Sequence, residues 1–287
     1  MKYRLRSGLG VAILCSVFAA PSMRADELDA IFQKPPAEAR PEVLWMWMGS
    51  NISSNGITRD LELLREAGYG GTSIFSLADV CTPWAGIISN SPTPEIVAFT
   101  EPWWKLIRHA AGESKRLGLN FGMHNCAGYE SSGGPWITPE LSMQDVVWSQ
   151  TAVSGPTNYS GTLSRAKPDP RAVQSFPVHN PTNGKLEKPV VPARLEYFRD
   201  LAVLALPATG VVAKENMIDL SSKMSADGKL DWEAPPGNWI IYRFGLTTKG
   251  KLLQPSQWEA IGLECDKMNP AAIEMHLNHI IGEAKKH

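Results

Sequence analysis

The chain has 287 residues, of which 43% are hydrophobic and 20% are charged, and its formal net charge is −1. This length fits one large domain or two modest ones with a sizeable buried core. The balance of charge argues against nucleic acid as a partner, because nucleic-acid-binding domains carry a clustered basic surface. Ten tryptophans and 22 prolines favour a loop-rich fold with aromatic surfaces over a plain helical bundle.

Residues 1–25 have the pattern of a secretory signal peptide. Lys2, Arg4 and Arg6 form a basic start, and the apolar run 8–20 is too short to span a bilayer comfortably. A membrane anchor is the alternative reading of this segment. Cleavage would leave 24 basic and 29 acidic side chains, a net charge of −5. We therefore expect a secreted or periplasmic protein that has no membrane partner once the signal is removed.

Three cysteines remain after cleavage, namely Cys81, Cys126 and Cys265. Their number is odd and their spacing is wide, and no CxxC pair indicates a zinc site. One disulfide is possible in an exported protein, but the spacing does not select the pair. Buried thiols are the other reading.

Residues 26–145 predict alternating strands and helices. The segment PEVLWMWMGS (41–50) is apolar at both sets of alternate positions, as expected of a strand covered on both faces. A helix capped by Thr58 follows and ends at Gly68. The run GGTSIFSLA (70–78) predicts the second strand.

The third strand is predicted after a long loop and a second helix. Residues 79–100 contain Pro and Ser, and loops of this length in compact domains are often functional. Pro102 fits the first turn of a helix that Gly118 ends, and LNFGMH (119–124) predicts strand three. The order strand, helix, strand, helix, strand predicts a parallel sheet of the α/β class.

Residues 146–255 break this pattern. They hold short β-like runs separated by turn sequences such as PTNGK and APPG, without a convincing long helix. We predict an inserted antiparallel β module with the character of a sandwich. The first pattern returns in residues 256–287, where AIGLEC (260–265) predicts a fourth strand and Asn269 with Pro270 begins the next helix.

Chemistry-bearing side chains follow each predicted strand of the parallel sheet. They are Trp45 and Trp47 in strand one, Asp79 after strand two, His124 and Asn125 after strand three, and Glu264 and Asp266 around strand four. Ligands of open α/β sheets and of barrels bind where the strands end. We therefore expect these side chains to meet at one edge of the sheet.

The set suits the recognition and cleavage of sugars. Asn and His side chains exchange hydrogen bonds with hydroxyl groups. Flat apolar faces for a sugar ring are available at Trp45, Trp47, Tyr129 and Trp136. Most glycosidases use two carboxyl groups, one to protonate the leaving oxygen and one as base or nucleophile. Glu264 and Asp266 are the candidates for this catalytic pair.

Each of these side chains also has a purely structural reading. His124 could brace a loop, and Trp45 and Trp47 could belong to the core. Asp266 could favour the start of the last helix. Glu130 lies in a Gly- and Ser-rich loop and is interpreted as a solvated charge.

The loop HNCAGYESSGGPWITPE (124–140) resembles the signature loop of glycoside hydrolase family 106, the α-L-rhamnosidases. Three further segments agree with the family in the same order: WMWMGSNISSNGITRDLELLREAGYGG, APPGNWIIYRFG and GLECDKMNP. The resemblance runs from about Pro41 to the C-terminus. The family loop usually has Trp-Ser where this chain has Tyr129 and Glu130; a tyrosine keeps a stacking face, whereas the glutamate adds a charge.

The resemblance implies a (β/α)8 barrel enzyme that hydrolyses terminal α-L-rhamnosides of plant or bacterial glycans. It also implies that two carboxylic acids hydrolyse the bond with inversion of the configuration at the anomeric carbon. A calcium ion that helps to hold the sugar is a further implication, and its ligands are not assigned to particular residues. Family members are much longer than this chain, and we expect later barrel strands to carry their acid and base. The prediction is thus a partial barrel of about four βα units with an inserted β module, whose possible partner is the missing C-terminal half.

Two main functions remain open, and sugar binding by the inserted β module on its own is a less favoured third. The first is a rhamnosidase-like glycoside hydrolase with a carbohydrate substrate. The second is a non-catalytic or vestigial carbohydrate-binding fragment of such an enzyme. A separate possibility is that residues 26–287 fold alone as an open sheet with a β module.

Overall fold

The computed structural model describes residues 25–81, 86–87, 96–130, 132–166, 177–180, 182–189, 196–210 and 212–287. The predicted signal peptide lies outside these residues except for Ala25. The chain divides into two compact units, Met1–Arg40 and Pro41–His287. Within the first unit, helix α1 (Ala25–Gln33) is followed by a short 3-10 turn at Ala37–Ala39. The candidate site lies wholly in the second unit.

The second unit contains three helices and thirteen strands among the described residues. The helices are α2 (Ser54–Glu66), α3 (Glu101–Leu117) and α4 (Pro270–Lys286). The strands are β1 (Glu42–Met48), β2 (Gly71–Leu77), β3 (Val80–Cys81), β4 (Gly86–Ile87), β5 (Asn120–Met123), β6 (Gly133–Gly134), β7 (Gln144–Thr162), β8 (Val178–His179), β9 (Leu186–Glu187), β10 (Arg199–Pro207), β11 (Ile218–Asp219), β12 (Lys229–Thr248) and β13 (Leu263–Glu264).

A three-stranded parallel sheet forms the first part of this unit, in the order β1-β2-β5. In register, Trp45 pairs with Ile74, and Ile74 pairs with Met123. Helices α2 and α3 provide the crossovers that parallel strands require. The predicted order of strands and helices is therefore confirmed for residues 42–123.

The helix boundaries follow from their capping residues. Helix α3 runs as predicted, with Pro102 in its first turn and Gly118 ending it at φ 66°. Helix α2 begins about a turn earlier than predicted, because Ser53 is the N-cap and its Oγ accepts a hydrogen bond from Gly56 N at 3.2 Å. The prediction that Thr58 caps this helix is wrong, and its Oγ1 instead lies 3.0 Å from His109 Nε2.

The two faces of the parallel sheet differ in burial. The helix-covered face packs into a core that includes Trp47, Ile57, Leu61 and Trp104, all at most 2% exposed. On the opposite face, Leu44 and Met46 of β1 are 57% and 45% exposed. Side chains alternate between faces along a strand, and the β2 residues on this face are partly or fully buried, so the exposure is greatest along β1.

The inserted region forms a four-stranded antiparallel sheet in the order β11-β10-β12-β7. Its long strands β7 and β12 pair over most of their length, with an irregularity between Ala234 and Gly237. A separate core containing Val203, Leu230 and Ile241 lies on one face. An antiparallel module is thus present as predicted, while its closure into a sandwich stays a prediction.

The predicted fourth parallel strand is not formed. Strand β13 instead pairs antiparallel with β6, and Leu263 makes a further bridge to Leu252. Glycines permit this close approach, because a Cβ on Gly262 would lie 1.9 Å from the carbonyl carbon of Gly134. Helix α4 does begin as predicted, with Asn269 Oδ1 accepting from Ala271 N at 3.1 Å.

Candidate functional site

A segment from the end of the β module lies along the carboxyl-end edge of the parallel sheet. Ala78, which follows β2, donates its N–H to Pro255 O at 3.2 Å. In the loop after β5, Tyr129 N donates to Gln254 O at 3.0 Å, and Gly128 N donates to Ser76 O at 2.8 Å. These backbone bonds bring three distant parts of the sequence to the edge where the sequence predicts a site.

Glu264 is a buried carboxylate at this edge, with its side chain 5% exposed. Its backbone is fixed in the β6–β13 pairing and by a hydrogen bond from Glu264 N to Lys251 O at 2.9 Å. Lys267 Nζ contacts Oε1, and Lys251 Nζ lies 3.3 Å from Oε2. Two ammonium groups therefore compensate a carboxylate that would be costly to bury alone.

Glu130 is the second carboxyl group of the site, and its interpretation as a solvated charge is wrong. The side chain is only 14% exposed, and its Oε2 accepts a hydrogen bond from Gln254 N at 2.7 Å. Burial is the main cause that raises the pKa of Glu130, and the negative charge of Glu264 acts in the same direction. The bond from Gln254 and the charge of Lys251 oppose this increase.

Lys251 joins the two carboxyl groups. Its Nζ lies 3.3 Å from Glu264 Oε2 and 3.8 Å from Glu130 Oε1. These two oxygens can therefore be at most about 7 Å apart, the sum of the two distances. A shared cation allows two buried carboxyl groups to lie close together with less repulsion between them.

His124 is close to the same cluster through Cys126. Its Nδ1 lies 3.5 Å from Cys126 Sγ, and the Cys126 thiol contacts the backbone oxygen of Glu130. Burial raises the pKa of Cys126 to about 12, with smaller electrostatic effects of Glu130, Lys267 and Glu264. Burial also lowers the pKa of His124, whose ring stacks on Phe75 at 4.4 Å. The imidazole is therefore predominantly neutral at pH 7.

Asn125 and Tyr129 lie in the same loop after β5 as this histidine. Asn125 Oδ1 is buried and, within the described part of the chain, accepts no hydrogen bond. Such an orphaned acceptor costs free energy unless water or a ligand donates to it. The Tyr129 ring is 42% exposed, and its hydroxyl donates to Met46 Sδ at 3.7 Å on the open face of the sheet.

The other predicted aromatic positions lie mainly against protein. Trp47 is 2% exposed and packs edge-on against Trp103 in the core. Trp45 is half-buried, bonds to Asp60 Oδ2 at 3.2 Å and lines a separate cleft of about 290 Å3 beside α2. Neither ring is placed with the carboxyl cluster.

Trp136 packs against helix α4. Its ring stacks on His279 at 4.1 Å, and its Nε1 donates to His276 Nδ1 at 3.1 Å. An indole N–H only donates, so His276 Nδ1 is the acceptor and the ring is the neutral tautomer protonated at Nε2. Burial, followed by the nearby His279 and His124, lowers the pKa of His276 to about 4.

Asp266 has a local structural function in the turn before α4. Its Oδ1 accepts a hydrogen bond from Met268 N at 3.0 Å, and its carbonyl accepts from Asn269 N at 3.1 Å. The residue is partly exposed. The structure thus pairs Glu264 with Glu130 through Lys251, whereas the sequence paired Glu264 with Asp266.

The carboxyl groups of the site are engaged with cations of the chain itself. In the parts of the chain that the structure describes, no three His, Cys, Asp or Glu side chains form a group that could hold a metal ion. The two buried glutamates, which supply the oxygen ligands that calcium prefers, are already paired with Lys251 and Lys267. A calcium ion of the kind that the resemblance implies would therefore need oxygen ligands other than these two glutamates.

Sequence reasoning missed Glu130, Lys251 and Lys267. The spacing of Lys267, three residues after Glu264, was a usable signal for an ion pair. Lys251 carried no such signal, because it is 121 positions from Glu130 in the sequence and only the fold brings the two together.

Comparison with known proteins shows that this chain is of the glycoside hydrolase class. The model of family 106, described as alpha-L-rhamnosidase, matches residues 33–211 and 193–287. The chain therefore belongs to glycoside hydrolase family 106. Carbohydrate is accordingly the substrate class of the family.

Two relatives are similar over most of this chain. A protein of Formosa agariphila named "Putative beta-glucuronidase" is 31% identical over 261 residues, which cover 87% of this chain and 21% of that protein. The rhamnosidase structure from Novosphingobium sp. PP1Y matches with a TM-score of 0.64 and 21% identity, covering 90% of this chain and 38% of that one. The chain thus spans about a fifth of the curated relative and shares its fold with part of the solved enzyme.

No helix among the described residues is long and apolar enough to cross a membrane.

Proposed function

We propose that this chain forms part of a glycoside hydrolase that removes terminal α-L-rhamnose from plant or bacterial glycans. The observation that carries the proposal is the pair of buried carboxyl groups, Glu130 and Glu264, held by Lys251 at the carboxyl-end edge of the parallel sheet. The family described as alpha-L-rhamnosidase supports the choice of sugar. A sugar ring would lie near His124 and Asn125, whose polar groups suit hydroxyls.

The roles of the two carboxyl groups follow from their surroundings. The raised pKa of Glu130 favours its protonated form, which suits the donation of a proton to the glycosidic oxygen. Glu264, paired with two ammonium groups, is proposed to accept a proton from the attacking water. The upper limit of about 7 Å between their facing oxygens admits both the roughly 5–5.5 Å of retaining enzymes and the roughly 6.5 Å at the short end of inverting ones, so the choice of inversion rests on the family resemblance.

We propose further that β1, β2 and β5 are the first three strands of a (β/α)8 barrel. Their parallel order, the helices on one face and the exposed Leu44 and Met46 on the other support this architecture. Three strands cannot close a barrel, so the open face would pack against strands supplied from elsewhere. The likeness to part of a longer rhamnosidase structure also supports a partial barrel.

The alternative function is binding without hydrolysis. It is favoured by the 5% exposure of the Glu264 side chain and its pairing with two ammonium groups, which limit its contact with an attacking water. A non-catalytic fragment would still bind rhamnose at the same edge of the sheet. Secretion or periplasmic export, predicted from residues 1–25, is a further proposal that N-terminal sequencing of the exported protein would test.

Hydrolysis of aryl glycosides separates these functions. The wild-type chain, Glu130→Gln, Glu264→Gln and Asp266→Asn are assayed with an aryl α-L-rhamnoside and, because of the name of one relative, an aryl β-D-glucuronide. We expect turnover of the rhamnoside alone, with a loss of about 100-fold or more in both glutamate variants. Asp266→Asn is the matched control and should retain activity.

Other outcomes discriminate between the alternatives. Rhamnose binding without turnover in the wild-type chain would support the non-catalytic alternative. Full activity in Glu130→Gln and Glu264→Gln would contradict the proposed catalytic pair. Turnover of the glucuronide alone would show that the choice of sugar is wrong.

A further inference from the structure

A second cavity lies at the same edge of the parallel sheet, between the ends of β1 and β2. Its volume is about 150 Å3, and its lining includes Gly49, Asp79, His179, Trp258 and Glu259. Asp79 follows β2, whereas His179 belongs to the short β8–β9 hairpin of the inserted region. The cavity shares none of its lining residues with the Glu130 and Glu264 cluster.

The polar groups of this cavity suit hydroxyl groups. His179 Nδ1 lies 3.1 Å from Asp79 Oδ2, and both side chains retain solvent exposure, 41% and 28%. Among the described residues, no hydrogen bond uses Asp79 Oδ1 or His179 Nε2. The pair therefore offers a carboxylate oxygen and a ring nitrogen to a ligand, beside the half-buried indole of Trp258.

The wall of the cavity is held in place by its neighbours. Gln257 accepts from Ala98 N and donates to Ile96 O, both at 2.9 Å, so that the start of the Trp258 turn is fixed. Gly49 has φ +57°, and a Cβ there would lie 2.8 Å from Asp79 Cβ. Only a residue without a side chain allows β1 to approach Asp79 so closely.

The distance to the carboxyl cluster is short. Gln254 contacts Glu130, and Gln257 lines the cavity. These two glutamines are three residues apart, so at most about 10 Å of extended chain separates them. One short backbone segment thus connects the carboxyl cluster and the cavity, and this is the basis for assigning them to neighbouring sugar units.

We propose that this cavity binds the second sugar unit of the substrate, the one to which the terminal rhamnose is attached. This inference rests on the proposed function, because it places the terminal sugar at Glu130 and Glu264. The volume suits one small ring, since pockets for drug-sized ligands measure about 300–1,000 Å3. Asp79 accepts from sugar hydroxyls, His179 exchanges a hydrogen bond with one, and Trp258 provides a flat apolar face.

The competing explanation is that the Asp79–His179 pair only attaches the hairpin to the sheet. A purely structural pair would affect folding without distinguishing a disaccharide from a monosaccharide. The test therefore compares the affinities of two ligands in each variant, and not the absolute affinity of one.

Calorimetric titration of the whole chain provides this comparison. The ligands are methyl α-L-rhamnoside and a panel of sulfur-linked α-L-rhamnosyl disaccharides that differ in linkage, because the sulfur-linked analogues resist the hydrolysis that the proposed function predicts. For the wild type we expect at least one disaccharide to bind about tenfold more tightly than the monosaccharide, equal to about 1.4 kcal/mol. His179→Ala and Trp258→Ala, which each change a residue of the cavity lining, should each reduce this preference to about threefold or less.

Lys185→Ala is the matched control, because this exposed side chain lies in the same hairpin segment outside the cavity lining. It should keep the tenfold preference. Equal affinity for the monosaccharide and every disaccharide in the wild type would overturn this inference and leave the proposed function standing. An unchanged preference in Trp258→Ala would also overturn it, and the absence of any sugar binding would overturn both proposals.

Discussion

Glu130 and Glu264, which are 134 positions apart in the sequence, contact one ammonium group, that of Lys251. The cation compensates two buried carboxyl groups that the fold brings to the edge of the parallel sheet. Because Lys251 is itself 44% exposed, solvent weakens each ion pair. The arrangement nevertheless leads to measurable consequences for stability and for its dependence on pH.

Replacement of Lys251 should destabilise the chain. Lys251→Met leaves Glu130 without its cation and Glu264 with Lys267 alone, and we expect a loss of about 1–2 kcal/mol in the free energy of unfolding at pH 7. Urea unfolding measures this loss. Lys286→Met removes an exposed pair with Glu283 and should cost at most about 0.5 kcal/mol. Equal effects of the two substitutions would contradict the bridging role.

The raised pKa of Glu130 predicts a specific pH dependence. A carboxyl group with a higher pKa in the folded state contributes stability that is fully present below its unfolded pKa and is lost as pH rises through its folded pKa. Glu130→Gln is neutral throughout and should avoid this loss. The stability of the variant relative to wild type should therefore be greater at pH 7 than at pH 4. A difference that is independent of pH would show that Glu130 does not titrate in this way.

His276 predicts a dependence of the opposite sign. Its pKa is lowered from 6.5 to about 4, so its contribution to the free energy of unfolding is present above pH 6.5 and is lost as the pH falls towards 4. This shift of the pKa corresponds to about 3 kcal/mol of that free energy. His276→Gln keeps an acceptor for Trp136 Nε1. Because glutamine does not titrate, the variant should not lose the part of the stability that protonation of His276 removes at low pH. Parallel stability curves for wild type and variant between pH 4 and 7 would refute the assignment.

Glycine substitutions test the β6–β13 pairing that holds Glu264. Gly262→Ala places a Cβ 1.9 Å from the carbonyl carbon of Gly134, so the pairing must separate, and we expect a loss of about 2 kcal/mol or more. Thermal unfolding measures this loss. Little change in Gly262→Ala would mean that the two strands do not approach so closely.

Gly112 is the matched control for this substitution, because it lies inside α3. Among the described residues, a Cβ added there would meet no atom within 4 Å apart from the backbone of its own helix. Gly112→Ala should therefore stabilise the chain by about 0.5–1 kcal/mol, since alanine loses less conformational freedom in a helix than glycine does. Destabilisation by Gly112→Ala would show that α3 is more closely packed at this position.

The sequence was sufficient for the parallel sheet and two of its helices. Apolar runs with flanking glycines marked β1, β2 and β5, and Pro102 with Gly118 marked both ends of α3. The N-cap of α2 was misplaced because Ser53 and Thr58 are both capping residue types, and only the bond to Gly56 N distinguishes them. Strand β13 was misassigned because an apolar run does not show its pairing partner, which is a pair of glycines more than a hundred residues away.

The candidate site was predicted only in part. His124 and Glu264 do lie in one cluster, because both are connected to the surroundings of Cys126. Glu130 looked solvated in a loop of small residues, and its burial depends on Gln254 from a distant segment. Trp136 looked available for a sugar, yet its ring stacks on His279 of α4. Local composition does not reveal such long-range packing.

A crystal structure of the chain soaked with methyl α-L-rhamnoside tests most directly whether Glu130 and Glu264 form the sugar site. We expect a sugar ring at the carboxyl-end edge of the sheet, with hydroxyl or ring oxygens in hydrogen-bond contact with Glu130 or Glu264. A rhamnoside found only in the cleft beside Trp45 and Asp60, away from both glutamates, would show that the two carboxyl groups are not the site.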